Sequence, residues 1–184
     1  MINNKKQYHD YINTEGQSVR FNGFLYRLIY SYITLQPIRR FLLLLRTSEY
    51  FMNCKRGIFN RLIHLLLKYH KYRLGLKLGF SIPENVAKKG LQLPHYGSIV
   101  INANTKIGEN CRIHICTNIG TANKSSIAPV IGDNVYIGPG AKIYGEITIA
   151  NNIKIAPNAT VSKDFLAENV IIGGVPAKQI SKSK

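Results

Sequence analysis

The chain has 184 residues, of which 45% are hydrophobic and 18% charged, a composition that favours a folded protein and excludes extensive disorder. Lys and Arg number 25 against 9 Asp and Glu, and the formal net charge of +16 favours a polyanionic partner: nucleic acid, an acidic membrane face, an acidic polysaccharide or a phosphorylated cofactor. The excess lies mainly in residues 1–80, which hold 14 basic and 3 acidic residues, against 11 and 6 in residues 81–184.

The amino-terminal residues lack the apolar segment of a signal peptide, and the longest apolar stretch, residues 21–45, is interrupted by arginines and a proline. Cys54, Cys111 and Cys116 form no CxxC pair and no Cys/His set with the spacing of a zinc site. We therefore expect a soluble cytoplasmic protein with reduced thiols and no metal.

Residues 1–78 predict a small helical region. Apolar residues recur at helical spacing around residues 25–32, from Pro37 to Leu45 and around residues 62–69, each with Arg or Lys on the other side. The pattern suits an ordinary solvated helical layer, and it also suits a peripheral contact with an anionic membrane at its inner face. No RNA-binding sequence or helix-turn-helix signal is present, so nucleic acid is not expected as a partner.

After residue 80 the hydrophobic pattern changes to a period of six. Ile or Val recurs at positions separated by multiples of six: 101, 107, 113, 119, 131, 137, 143, 149, 155 and 161. An amphipathic α-helix needs spacings of three and four and a simple strand needs two, so this period predicts a parallel β-helix of hexapeptide repeats.

Three hexads make one triangular coil, so residues three hexads apart are expected to stack in columns. One such column is Ile101, Ile119, Ile137 and Ile155; another is Ile113, Ile131 and Ile149. Residues 122–130 interrupt the pattern and predict a loop that leaves the prism and returns without shifting the register. Excursions from a repeat commonly build the working surface, because the regular coils supply the scaffold.

His95 is the first candidate for chemistry. It lies one hexad before Ile101, at the head of the column that continues through Ile113. The side chain either caps the open end of the prism or takes up a proton near neutral pH, as imidazole is suited to do.

Several segments after residue 79 resemble one branch of a known family. The matching segments are His95-Tyr-Gly-Ser-Ile-Val, Ile107-Gly-Glu-Asn-Cys-Arg-Ile, Asn118-Ile-Gly-Thr, Pro129-Val-Ile-Gly-Asp-Asn-Val-Tyr-Ile-Gly-Pro-Gly-Ala-Lys-Ile and Gly173-Gly-Val-Pro-Ala-Lys. They are similar to the serine O-acetyltransferase branch of the hexapeptide acyltransferases, especially its short members from capsule and exopolysaccharide clusters. The expected fold is mainly β: a left-handed parallel β-helix over residues 79–184, preceded by the helical region.

The resemblance implies an acetyl-CoA-dependent O-acetyltransferase with His95 as the general base. It also implies that the places of two aspartates and a second histidine, which orient the base and hold serine in the family, are occupied here by Phe80, Pro94 and Ala128. We therefore expect a sugar hydroxyl in surface polysaccharide biosynthesis as the acceptor, with serine as the alternative. A non-catalytic β-helix used for assembly or polyanion binding is the alternative of another class.

His114 is the second candidate. It follows His95 by one coil plus one residue, so its backbone should lie about one rung, roughly 5 Å, from that of His95. The side chain either binds the acceptor or assists the base, or is an exposed polar residue of the β-helix. A γ-class carbonic anhydrase shares this fold but needs three histidine ligands, a set that His95 and His114 do not supply.

The resemblance further implies a homotrimer with acetyl-CoA in a groove between subunits. The residues expected to bind acetyl-CoA are Thr121, Pro139 and Pro157, each two positions after an inward isoleucine, together with Lys163 and Lys178 for the phosphates.

Overall fold

A computed structural model of the chain describes residues 1–15, 36–122 and 126–182. The chain divides into two compact units, residues 1–78 and residues 79–184. The helix expected around residues 25–32, and part of the loop expected at 122–130, lie outside the described residues.

The first unit contains the helices α1 (Lys5–Thr14), α2 (Pro37–Cys54) and α3 (Ile58–Leu78). Helix α1 is absent from the sequence expectations; it starts where the Asn4 side chain accepts a hydrogen bond from the Gln7 amide. Pro37 begins α2, as expected. Proline suits the first helical position because the backbone N–H that it lacks would have no hydrogen-bond partner within the helix. Both α2 and α3 extend well beyond the segments predicted from the apolar spacing.

Buried Arg46 holds α2 against the end of α1. Its guanidinium donates to the Glu15 carboxylate at 2.6 Å and to the Glu49 carboxylate at 3.0 Å, and it lies 4.9 Å from the centre of the Tyr11 ring. Burial acts to lower the pKa of Arg46, but the two carboxylates outweigh burial and the pKa is raised, so the side chain remains charged. Two of the three acidic residues of this unit are thus turned inward.

No described helix is long and apolar enough to cross a membrane.

The second unit is a left-handed parallel β-helix. Its strands are β1 (Phe80–Ser81), β2 (Ile99–Ile101), β3 (Lys106–Ile107), β4 (Arg112–Ile113), β5 (Thr117–Gly120), β6 (Val130–Ile131), β7 (Tyr136–Ile137), β8 (Lys142–Tyr144), β9 (Thr148–Ile149), β10 (Lys154–Ile155), β11 (Thr160–Val161), β12 (Val170–Gly173) and β13 (Lys178–Lys182). They form three faces, in the orders β1-β2-β5-β8-β11, β13-β12-β10-β7-β4 and β3-β6-β9. Strand β13 is antiparallel to β12 and closes the end of its face.

The hexad isoleucines fill the interior of the prism, as their period predicts. Ile113, Ile137, Ile143, Ile149 and Ile155 have no exposed surface. Each short strand turns one branched side chain inward and its neighbour outward, so the interior is apolar while the outer faces carry polar residues.

The columns differ from those expected if every coil contained three hexads. Ile101 pairs with Ile119, three hexads further along the chain, but Ile119 then pairs with Ile143, four hexads further along. The other two faces show the same step of four hexads, from 107 to 131 and from 113 to 137. The hexad phase is kept across the excursion, since Ile119 and Ile131 are both buried. The stacking expected across it is wrong, because the coil that contains the excursion is one hexad longer.

Left-handed asparagines form the corner between two faces of the prism. Asn110, Asn134 and Asn152 have φ between 55° and 59°. Asn tolerates this region better than most residues with a side chain. Their side chains also form a ladder, with Asn110 donating to Asn134 at 3.3 Å and Asn134 donating to Asn152 at 3.0 Å. The corner therefore depends on the amide side chain as well as on the backbone.

Removing the Arg46 charge should destabilise the helical unit. We expect Arg46→Met to lower the free energy of unfolding by about 3–5 kcal/mol, because Glu15 and Glu49 would remain buried without their cation. Denaturant unfolding followed by circular dichroism measures this change. Arg39→Gln, at an exposed position of the same helix, is the control and should change stability by less than about 0.5 kcal/mol. Equal effects of the two substitutions would contradict the assignment.

Candidate active site

His95 lies on the outside of the β-helix, displaced from the column in which the sequence pattern placed it. Gln92 bridges to Arg112, so Leu93 stands level with Ile113 and fills the inward place with a buried side chain. His95 follows two residues later and is exposed. Within the described part of the chain the His95 ring makes no hydrogen bond, which leaves its nitrogens accessible to a ligand.

His114 lies beside His95 and is held by its backbone. It follows β4, donates its amide to the Ile137 carbonyl at 3.0 Å and accepts at its own carbonyl from the Thr117 hydroxyl at 2.7 Å. The centre of its ring lies 6.1 Å from that of His95 and 5.1 Å from that of Tyr136. The two histidines are thus neighbours across one rung, with Tyr136 as the next aromatic ring.

The His114 side chain is in an environment that disfavours its charged form. Partial burial lowers the pKa of His114 below its ordinary value of about 6.5, and the nearby charges of Arg112 and His95 lower it further. Its Nε2 is buried, and no described residue offers that nitrogen a hydrogen bond. Near neutral pH His114 is therefore a neutral imidazole beside an exposed one.

Arg112 and Tyr136 are neighbours of His114 that the sequence reasoning missed. Their backbones pair directly in the ladder between β4 and β7. The hexad pattern gives the position of each residue within its hexad, but it does not show that the two residues pair. Their pairing requires a coil of four hexads.

The predicted acetyl-CoA residues fall on two different edges of the prism. Pro139 and Pro157 lie one coil apart on one edge, where the Asn158 amide donates to the Pro139 carbonyl at 2.8 Å. The coil before contributes Ile115, whose carbonyl accepts from the Gly140 amide at 2.9 Å. His114 immediately precedes Ile115, so this edge continues to the histidine pair.

Thr121 and Lys163 belong to another edge. Because Ile119, Ile143 and Val161 stack directly, the residues two places after them form one line, which contains Thr121 and Lys163. Lys163 Nζ lies 5.6 Å from the centre of the Phe165 ring. Lys178 begins β13, opposite Gly173, at the closed end of a face. The five residues therefore do not form one cluster within a single chain.

The three positions at which the family resemblance points to acidic or imidazole groups carry apolar side chains. Phe80 is buried in β1, where it pairs with Ile99, and Ala128 is buried close to β6. Pro94 is half-buried directly before His95. None of these side chains can orient His95 by accepting a hydrogen bond from its ring.

Among residues 1–15, 36–122 and 126–182, no group of three or more His, Cys, Asp or Glu side chains is arranged to hold a metal ion. Burial raises the pKa of the Cys111 thiol to about 11, and its sulfur donates to the Gly132 carbonyl at 3.2 Å. Cys111 is therefore a core residue rather than a nucleophile.

Comparison with known sequences matches residues 128–163 to the family described as bacterial transferase hexapeptide (six repeats). The serine acetyltransferase of Helicobacter pylori (strain ATCC 700392 / 26695) is 32% identical over 98 residues, covering 52% of this chain and 57% of the relative. The serine acetyltransferase of Buchnera aphidicola subsp. Schizaphis graminum is 33% identical over 143 residues, covering 76% of this chain and 52% of the relative. The chain thus spans about half the length of the curated relatives it matches.

Solved structures share the fold. A serine acetyltransferase from Brucella abortus in complex with coenzyme A superposes with a TM-score of 0.72, covering 98% of this chain and 70% of that one at 22% identity. A serine acetyltransferase from Neisseria gonorrhoeae in complex with serine gives a TM-score of 0.66, covering 95% and 69% at 21% identity.

The histidine pair generates a prediction for proton binding. We expect an NMR titration of the His114 ring to give a midpoint below 6.5, and Arg112→Gln to raise that midpoint by removing a neighbouring cation. Lys106→Gln, which removes an exposed cation from another face, should leave the midpoint unchanged. A midpoint at or above 6.5 in the unmodified protein would contradict the assignment.

The same lowered pKa affects stability. Because the unfolded chain binds a proton at His114 more readily than the folded chain, the free energy of unfolding should decrease as the pH falls through 6.5 towards the folded-state pKa. The substitution His114→Asn should make this loss of unfolding free energy at low pH smaller.

Proposed function

We propose that this chain, a member of the hexapeptide-repeat transferase family, is an acetyl-CoA-dependent O-acetyltransferase whose general base is His95. One observation carries the proposal: an exposed, accessible imidazole stands beside a neutral one on the edge of a β-helix related in sequence to serine acetyltransferases. Acetyl-CoA as the acetyl donor is supported by the coenzyme A complex of the Brucella abortus relative. The proposal also keeps the cytoplasmic location expected from the sequence.

The proposed reaction is a direct acyl transfer. The His95 ring accepts the proton of the acceptor hydroxyl as that oxygen attacks the thioester carbonyl carbon. A backbone amide stabilises the negative charge that develops on the carbonyl oxygen. The carbon–sulfur bond then breaks, the acetyl group remains on the acceptor, and coenzyme A leaves as the thiol after taking the proton from His95.

In this proposal His114 positions His95. The family's aspartate is replaced by Phe80, and the neutral imidazole of His114 stands beside the His95 ring, with 6.1 Å between the ring centres. A neutral neighbour leaves His95 able to become positively charged during the reaction, whereas a protonated His114 would oppose that charge.

The acetyl-CoA site is proposed to lie between subunits of a homotrimer. The Pro139 and Pro157 edge of one chain would face the Thr121 and Lys163 edge of the next, which brings together groups that one chain keeps apart. Lys163 and Lys178 would then meet the phosphates as point charges. An intersubunit groove also buries a long, flexible cofactor better than one outer face of the prism does.

Serine is the acceptor that the relatives support. The serine acetyltransferases matched in sequence favour it over the sugar hydroxyl expected from the sequence, for which the comparisons give no support. The sugar remains a second candidate because of a specific observation: the places of the serine-binding and base-orienting groups hold Pro94, Ala128 and Phe80.

The test of function is release of the coenzyme A thiol by purified protein. We expect turnover of acetyl-CoA with an added hydroxyl acceptor and a loss on the order of 10²- to 10⁴-fold in kcat for His95→Ala. His70→Ala, an exposed histidine of the helical unit, is the control and should retain full activity. If His95→Ala keeps more than about a tenth of the activity, His95 is not the general base. Absence of acetyl-CoA binding by calorimetry would favour the non-catalytic alternative.

The acceptor is identified by the same assay. Serine should support turnover, while a panel of nucleotide sugars and oligosaccharides should not. Turnover with a sugar and none with serine would reverse the choice of acceptor while leaving the acetyltransferase proposal in place. Mass spectrometry of the product distinguishes the two outcomes, because the acetyl group appears on one acceptor only.

A trimer should have about three times the chain mass of 20.7 kDa by light scattering, or a multiple of that value. Deleting residues 122–127 removes one hexad and should return the long coil to three hexads without disturbing the isoleucine stack. If the excursion loop reaches into the site of the neighbouring subunit, neither this deletion nor His95→Ala should be active alone, and mixed trimers of the two chains should recover activity. No recovery in assembled mixed trimers would place each site within one chain.

A further inference from the structure

Helix α3 buries its less apolar side. The residues that it turns inward include Leu67, Lys71, Gly75 and Leu78, and Leu67 packs with Leu44 and Phe51 of α2. The side directed away from α2 carries a continuous row of large apolar residues, each 51–64% exposed. This row, the α3 stripe, consists of Ile58, Leu62, Leu65, Tyr69, Tyr72 and Leu76.

The spacing of the stripe makes it one surface. Its members are separated alternately by four and three positions, so they follow one another along a single side of a helix with about 3.6 residues per turn. At about 1.5 Å per residue the stripe is about 27 Å long, and neither α1 nor α2 of the helical unit covers it. A surface of this size is larger than the scattered apolar residues that need no explanation.

Cations line both sides of the stripe. Arg61 and Lys68 lie on one side, Arg73 and Lys77 on the other, and all four are exposed. The Arg73 guanidinium also stands 6.0 Å from the centre of the Tyr69 ring, against the stripe itself. Helix α3 contains no Asp or Glu. Phe59 and Leu66, which are also exposed, lie on the same side as Arg73 and Lys77. An occupant of this surface must therefore be largely apolar and carry negative charge opposite the four cations.

The acidic residues of the helical unit cannot balance this charge. Residues 1–78 contain three of them, and Glu15 and Glu49 are buried against Arg46. A second copy of α3 would bring like charges together, and residues 16–35 contain two arginines and no acidic residue. Neither occupant from this chain complements the surface electrostatically.

We propose that α3 lies in the surface of an anionic lipid bilayer, with the α3 stripe among the acyl chains and its flanking cations at the lipid phosphates. A cationic amphipathic helix with Leu and Tyr on its apolar side is suited to this position in the interface plane. Aromatic side chains such as those of Tyr69 and Tyr72 are favoured at the depth of the lipid headgroups. The proposal concerns attachment and does not depend on the acetyltransferase proposal.

Co-sedimentation of the full chain with vesicles tests the proposal. The protein should bind vesicles of phosphatidylcholine mixed with phosphatidylglycerol, bind phosphatidylcholine alone far more weakly, and dissociate as salt is added. Replacing Arg61, Lys68, Arg73 and Lys77 together by Gln should weaken binding by about 10²- to 10³-fold. The matched control changes Lys5, Lys6, Lys106 and Lys154 to Gln; it removes four exposed charges elsewhere and should weaken binding much less.

The apolar contribution is tested separately. Leu62, Leu65 and Leu76 changed together to Gln, a good helix former, should abolish binding at moderate salt while the circular dichroism spectrum stays unchanged. If this variant binds as tightly as the unmodified protein, charge alone attracts the protein and the proposed insertion is wrong.

Labelling distinguishes the lipid from other occupants. A cysteine introduced by Leu65→Cys should react rapidly with a maleimide in solution and become protected by anionic vesicles, with the modified peptide identified by mass spectrometry. Protection without vesicles would overturn the proposal, because the stripe would already be covered. A fall in oligomer mass for the triple Gln variant would then identify a second copy as the cover, and an unchanged mass would assign the cover to another part of the same chain.

Discussion

The second unit depends on one constraint: each short strand must place one branched apolar side chain inside a narrow prism. A column such as Ile113, Ile137 and Ile155, paired backbone to backbone, satisfies this constraint and leaves the outward residues free to vary. Because most strands are only two or three residues long, the chain must turn sharply between them, and asparagines in the left-handed region make one set of these turns. The candidate site stands on another edge, so its residues are held by the interior without belonging to it.

The same constraint explains what the sequence could and could not predict. A period of six identifies the inward residues, and they are buried. The period does not identify which isoleucines stack, because adding one hexad to a coil leaves every position in the same phase. The coil of four hexads therefore went unrecognised, and with it the pairing of Arg112 with Tyr136 beside His114. Only the hydrogen bonds between coils carry that information.

His95 illustrates a second limit. Counting by six assigns it to the inward row, yet Leu93 occupies that place and His95 is exposed. The first coils are irregular, because Phe80 pairs with Ile99 and Gln92 with Arg112 at separations that are not multiples of six. A histidine in the inward row would have been a buried polar group in need of a partner, which an apolar prism cannot provide. Displacement by this irregularity leaves the ring exposed, as the proposed role of general base requires.

Helix α1 was missed for a different reason. Its pattern is short, and a short helix gains most of its stability from tertiary packing, here that of Tyr8 and Tyr11.

The charge and the apolar surface of the helical unit bear on the choice between serine and a sugar as the acceptor. Burying Glu15 and Glu49 at Arg46 stabilises α1 against α2 and also removes negative charge from the surface of the unit. A free amino acid reaches its enzyme by diffusion, so acetylation of serine gives no reason to attach the protein to a membrane. A glycan carried on a lipid is confined to the bilayer, where attachment raises its effective concentration at the enzyme. Vesicle binding together with turnover of serine would show that membrane attachment and the choice of acceptor are independent. Vesicle binding together with turnover of a lipid-linked sugar would explain both the cationic helix and the residues at 80, 94 and 128 by one cause, an acceptor confined to the bilayer.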